Sequence, residues 1–144
     1  MAMREILFRG KSVNGIGWVE GSLRITTIQP ADDAPFEHYE IEDTTYGVFP
    51  NDFMSGICET VDPNTVGQYT GLTDKNGRKI FEGDIVKNGE FTMVVVWYDF
   101  HAAFMLAFHV DGDYHEAISN SHIYLEVLGN IHDNPELLGG GEDG

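Results

Sequence analysis

The chain reads as an all-β protein, and three observations say so. Seventeen glycines are spread through its 144 residues in short, even turns, which favours many short strands over helices. The run Phe91-Thr92-Met93-Val94-Val95-Val96-Trp97-Tyr98 is dense in the β-branched and aromatic residues that suit a pleated surface. Asn76-Gly77 is a strong hairpin turn, because a type I′ turn needs positive φ at both central residues. An apolar content of 42% and an aromatic content of 12% are those of a chain that folds.

In chain order, Glu5–Lys11 and Gly17–Val19 are expected strands around a turn at Asn14-Gly15. Ser22–Ile28 sets Leu23, Ile25 and Thr27 against Arg24 and Thr26, a half-buried alternation. Residues 29–45 are acidic, carry Pro30 and Pro35, and read as a loop with one short strand, Phe36–Ile41. Asn51–Gly56 is a candidate helical turn with Asn51 as N-cap, and Asp62-Pro63-Asn64 is a turn. The hairpin at Asn76-Gly77 has two possible registers. A two-residue loop pairs Lys75 with Arg78, Asp74 with Lys79 and Leu72 with Phe81, and this is the expected one. A five-residue loop with Gly77 at a bulge instead pairs Leu72 with Ile80. Gly83-Asp84 breaks the strand pattern at a bend. Ile85–Lys87 resumes it, and Asn88-Gly89 is a second hairpin turn. The continuous apolar run from Phe91 to Tyr98 predicts a central strand covered on both faces. Ala103–Val110 follows, with Phe104, Leu106 and Phe108 on one face, then a turn at Asp111-Gly112. His122–Ile131 is the last expected strand. Asn134-Pro135 opens a short helical turn, with Asn at the N-cap and Pro at the first position.

Three blocks of this sequence resemble the YopX-like family of uncharacterised phage and prophage proteins. The opening block is Arg4–Gly10 with Trp18–Gly21. The central block runs from Thr65 to Lys87, through Gly67, Tyr69, Thr70, Gly71, Asp74, Asn76, Gly77, Gly83 and Asp84. The closing block is Glu126–Leu138, with Gly129, Asn130, Asn134 and Pro135. The resemblance spans nearly the whole chain, with a variable middle from about Ile28 to Asp62. It implies a phage or prophage origin, a fold of small, partly open SH3-like barrels, and an oligomer. It implies no catalytic residue. The signature residues therefore read as structural: Asp84 accepting backbone hydrogen bonds at the bend, Tyr69 and Thr70 packing or pairing across the hairpin. One domain is expected over residues 1–138, with a possible sub-boundary near residue 64 and a disordered tail over 139–144.

Charge sets the chain's partners. The net charge is −16, and it is uneven. Residues 1–30 carry +2, 31–70 carry −9, 71–87 carry +1 and 88–144 carry −10, so all eight basic residues fall in the first and third blocks. Such a surface repels phosphate backbones and anionic membranes, which are normally bound through Lys and Arg. Direct nucleic-acid binding is therefore not expected. A solvated acidic surface explains the charge, and mimicry of duplex DNA against a basic site on a host enzyme is the sharper alternative. No run reaches the roughly 18 apolar residues of a membrane span, and Met1-Ala2-Met3 does not open a signal peptide. The single Cys58 excludes an internal disulfide and fits a reducing cytoplasm, that of a host cell.

Chemistry is mostly absent. Gly15-Ile16-Gly17 lacks the third glycine of a dinucleotide loop, and there is no phosphate loop, nucleophile elbow or His-Glu-x-x-His pair. His101, His109, His115 and His122, with Asp111, Asp113 and Glu116, match no zinc spacing. Asp111-Gly112-Asp113 lacks the other ligands of a calcium loop. Cys58 is expected to be buried and inert. Tyr69, Phe81, Phe91, Trp97, Tyr98 and Phe100 have the residue types of a base-stacking platform, but the acidic charge favours core positions. No cofactor or metal is expected. The expected function is a non-enzymatic protein-binding or assembly module, a homo-oligomer with a phage or host partner. Open sheet edges need covering, and oligomerisation covers them. A DNA-mimic inhibitor is the alternative, and a metal-dependent hydrolase the third reading.

Overall fold

A computed structural model describes residues 5–43 and 57–139 of the chain. The fold is all-β, with antiparallel sheets that stay partly open and do not close into a barrel; helical structure among the described residues is limited to single 3-10 turns. The chain divides into two compact units, residues 1–68 and 69–144. The candidate helical turn at 51–56 and the tail at 140–144 lie outside the described residues.

The first unit holds β1 (Phe8–Lys11), β2 (Trp18–Ile28), β3 (Phe36–Asp43), β4 (Ile57–Thr60) and the start of β5 (Gly67–Thr73), in the order β4-β3-β2-β1-β5. Val19, Ile41 and Val61 form its core, with Phe8, Leu23, Tyr39 and Val66 packed around them. The two segments expected at Gly17–Val19 and Ser22–Ile28 are one strand of 11 residues. Gly21 joins them. It faces Phe8 of β1 on one side and Asp43 of β3 on the other, and a Cβ there would overlap the Glu42 carbonyl oxygen. The missing side chain thus lets two backbones meet at the handover. Ser12 and Asn14 donate to Glu59 Oε2 at 2.6 and 2.7 Å, which holds that carboxyl below its ordinary range. Arg9 is buried, with its guanidinium 4.9 Å from the Trp18 ring.

The second unit holds the rest of β5, β6 (Lys79–Phe81), and a five-stranded sheet of β7 (Asp84–Asn88), β8 (Phe91–Tyr98), β9 (Ala103–His109), β10 (Gly112–Ala117) and β11 (Glu126–Asn130), in the order β10-β9-β8-β7-β11. β8 is central and covered on both faces, as its apolar run predicts. Met93 and Val95 join Ile80, Val86, Leu106, Ile118, Leu125 and Val127 on one face, while Val94 and Val96 pack with Ala107, Met105, Ile131 and Leu138 on the other. The last strand, Glu126–Asn130, is shorter than the expected His122–Ile131. His122–Tyr124 is a 3-10 turn with Ile123 and Tyr124 exposed, and His122 Nδ1 lies 2.9 Å from the Thr73 carbonyl oxygen.

The hairpin adopts the five-residue loop, so the favoured two-residue register is corrected. Thr73 pairs with Lys79, and the Asp74 and Arg78 backbones close the loop at 2.8 Å. Asp74 decides this. Its Oδ1 accepts from the Asn76 and Arg78 amides at 2.8 and 2.9 Å, which a two-residue turn cannot offer. Gly77, at φ 82°, takes the left-handed bulge position that closes such a loop. A further register shift lies between Tyr69 and Thr73, around Gly71.

Candidate functional site

The signature residues act on the backbone. In the second unit, Asp74 is only 6% exposed, and its Oδ2 accepts from the Val127 amide of β11 at 2.9 Å. Lys75 N–H adds a bond to the Leu125 carbonyl at 2.9 Å. One side chain thus fastens the hairpin to the final strand. Burial by itself raises the Asp74 pKa, but the Val127, Arg78 and Asn76 amides and the Arg78 charge outweigh it, and the carboxyl lies below its ordinary value. Asp84 is buried and accepts from the Phe81 amide at 2.7 Å. Gly83 N–H donates to Val95, and its carbonyl accepts from Ile131. Tyr69 packs its ring 5.6 Å from Phe81, and Lys79 Nζ lies 5.8 Å from that ring. Thr70 Oγ1 donates to the Ile80 carbonyl at 2.8 Å. In the first unit, Gly67 pairs with Arg9 of β1.

The closing block forms a second knot. Asn130 Oδ1 accepts from the His132 and Asp133 amides at 3.0 and 2.9 Å. Asn134 does not cap the turn at Pro135–Leu138 with its side chain; its Oδ1 reaches back to the Asn130 amide at 3.3 Å. Gly129 leaves room for that reach, since a Cβ there would overlap Asn134 Oδ1. These residues, carried by the resemblance, sit where side chains replace ladder bonds at a bend, a loop and a strand end.

The residues weighed for chemistry do not converge. Among the described residues no three His, Cys, Asp or Glu side chains gather as a metal-ligand set. His115 pairs with Glu116 at 3.3 Å and meets the Phe108 ring edge-on, while His101 stands against Tyr98 and Phe100. Cys58 is exposed on β4, against the expectation of burial. Tyr69 and Phe81 are core residues, but Phe91, Trp97 and Phe100 are exposed, so the core expectation fails for half of that aromatic set. The run's periodicity carries past the end of the core, and sequence alone does not show where the covering elements stop.

Residues 16–139 match the family model described as YopX protein. The chain belongs to the YopX family. A solved structure is also similar: the crystal structure of protein EF1440 from Enterococcus faecalis is 23% identical, with the match covering 94% of this chain and 99% of that one at a TM-score of 0.49. No curated protein matches. Among the described residues no helix is long and apolar enough to cross a membrane.

Among the described residues of this YopX chain one strand edge is left open. β1 covers β2 only over Trp18–Gly21, and β3 runs along its other side to Ile28. Among the described residues no strand lies along the outer edge of residues 22–28. Its tip, Ile25-Thr26-Thr27-Ile28, is uncharged, β-branched throughout and exposed. Across the hairpin, Phe36 is exposed as well.

Proposed function

We propose that this protein is a non-enzymatic binding and assembly module that associates with a second copy of itself through β2. The carrying observation is the open Ile25–Ile28 edge. A strand of high β propensity with one edge unpaired is a template for another strand, and soluble proteins usually blunt such an edge with charge or Pro. Here neither interrupts it. A two-fold pairing of β2 with β2 is self-complementary. It also brings two copies of a −16 chain together along its uncharged run. The partner beyond the second copy is a phage or host protein, met in the cytoplasm. Duplex mimicry has less support: Glu40 and Glu42 lie near Arg24, while Asp74 and Asp84 turn inward to the backbone.

Light scattering on the full chain tests this reading. Wild type is expected as a dimer, and Ile25→Glu with Ile28→Glu as a monomer with an unchanged circular-dichroism spectrum. A monomeric wild type, or a dimer indifferent to both changes, refutes it.

A further inference from the structure

The second unit also carries aromatic rings that its core does not use. β8 and β9 are joined by a four-residue turn, Asp99–Ala102, closed by Ala102 N–H on the Asp99 carbonyl at 3.1 Å. Ala102 sits at φ 48°, the left-handed region that a non-glycine residue occupies at a cost. That turn holds Phe100 out, with 83% of its surface exposed. Tyr98 stacks on Tyr114 of β10 with centroids 4.0 Å apart and planes 19° from parallel. His101 stands edge-on to Tyr98 at 5.0 Å and to Phe100 at 5.4 Å. The turn also carries a carboxylate, since Asp99 Oδ1 accepts from Trp97 Nε1 at 2.6 Å.

The formal charges in the stretch of chain that carries these rings have one sign. No Lys or Arg follows Lys87 in the chain. The faces of aromatic rings carry negative potential, and the Asp99 carboxylate in the turn and the acidic charge of residues 88–144 add to it, so the surface is complementary to a cation. Guanidinium suits it better than ammonium, being flat, weakly hydrated and able to stack. We infer that the surface of Tyr98, Phe100, His101 and Tyr114 takes arginine side chains of a partner protein. This site is independent of self-association: it uses the second unit, and the β2 variants leave its residues intact.

The test is an NMR titration of the full chain, at about 0.15 M salt to damp long-range attraction, with two blocked peptides that differ only in carrying two Arg or two Lys. The Arg peptide is expected to bind more tightly and to shift the ring signals of Tyr98 and Tyr114. Phe100→Leu and Tyr114→Leu each weaken it roughly threefold, and together about tenfold, the scale of exposed cation–π contacts. Tyr124→Leu removes another exposed ring, at unchanged charge, and leaves the affinity as it was. Equal binding of the two peptides, with the double variant indistinguishable from wild type, reduces the effect to net charge and overturns the inference. So does no binding at millimolar peptide.

Discussion

Replacing Asp74 tests whether one carboxylate ties the hairpin to the last strand. In Asp74→Ala three amides lose their acceptor. Asn76 and Arg78 are exposed, so water takes over there, at a net loss of about 0.5–1.5 kcal/mol each. Val127 is buried in β11, and its stranded N–H costs about 1–3 kcal/mol. The sum is about 2–6 kcal/mol, or roughly 10–15 °C in Tm at mid-range for a chain of this size. Asp74→Asn sharpens the test. Whichever way the amide is turned, its NH₂ faces at least one backbone donor, so the near-isosteric residue keeps at most two of the three bonds. Asn is therefore expected to rescue little of the Ala loss.

Urea unfolding gives the free energies, and hydrogen exchange at the Val127 amide gives the local effect. The pH dependence supplies a sign. Asp74 is depressed below 3.8 in the folded chain, so its contribution is fully present above that value. It is lost as pH falls through the folded pKa. The stability gap between wild type and Asp74→Asn should stay constant near neutrality and close below pH 3.8. A loss under about 0.5 kcal/mol for Ala, or wild-type stability for Asn, refutes the reasoning.

Three further changes follow from contacts. Gly21→Ala drives a Cβ into the Glu42 carbonyl, and is expected to cost about 2 kcal/mol or more by urea unfolding, with backbone signals shifting where β2 passes from β1 to β3. Gly129→Ala displaces the Asn134 side chain, so a double-mutant cycle with Asn134→Ala should show coupling of about 1 kcal/mol, the added methyl being better tolerated once the Asn134 amide is gone. Ser121 Oγ is buried without a partner among the described residues, so Ser121→Ala should be neutral or stabilise by up to about 1 kcal/mol in the same assay.

The fold was legible where residues report their own surroundings. Val94 and Val95 lie side by side in sequence and on opposite faces, so only a strand covered twice accommodates both. The hairpin register was legible only as a pair of options. Dipeptide chemistry favours a two-residue loop at Asn76-Gly77, but Val127 is 53 residues from Asp74, and local pattern carries no record of that bond. Gly21 and Gly129 show the same limit. Gly21 lies between two expected strands and Gly129 inside the last one, and neither pattern shows that the missing Cβ admits a neighbour, distant in the first case and local in the second. The exposed rings were misread for a related reason. Phe91 and Trp97 share a strand with buried Met93 and Val95, and residue type alone does not tell the ends of a strand from its middle. No part of the candidate site carries a sequence motif, because an open edge and an aromatic turn are defined by what is not packed on them.

The two proposed surfaces respond oppositely to salt, and this separates them. Two copies meeting through β2 each bring a charge of −16, so their approach is opposed at long range and their contact is made by uncharged residues. Added salt shortens the Debye length, from about 10 Å at 0.1 M to about 3 Å at 1 M, and removes the repulsion while leaving strand pairing and apolar burial in place. Dimerisation should therefore strengthen as salt rises. An arginine peptide meeting the Tyr98–Tyr114 surface is drawn in by the same acidic field, so its affinity should fall over that range. The part that survives is the part made by ring contact, and it should be the part that Phe100→Leu and Tyr114→Leu remove. Sedimentation and peptide titration over one salt series measure both trends. If both weaken together, the β2 contact is electrostatic and the uncharged edge is not what joins the copies. If peptide binding vanishes at high salt in wild type and the double variant alike, the rings add nothing to the charge.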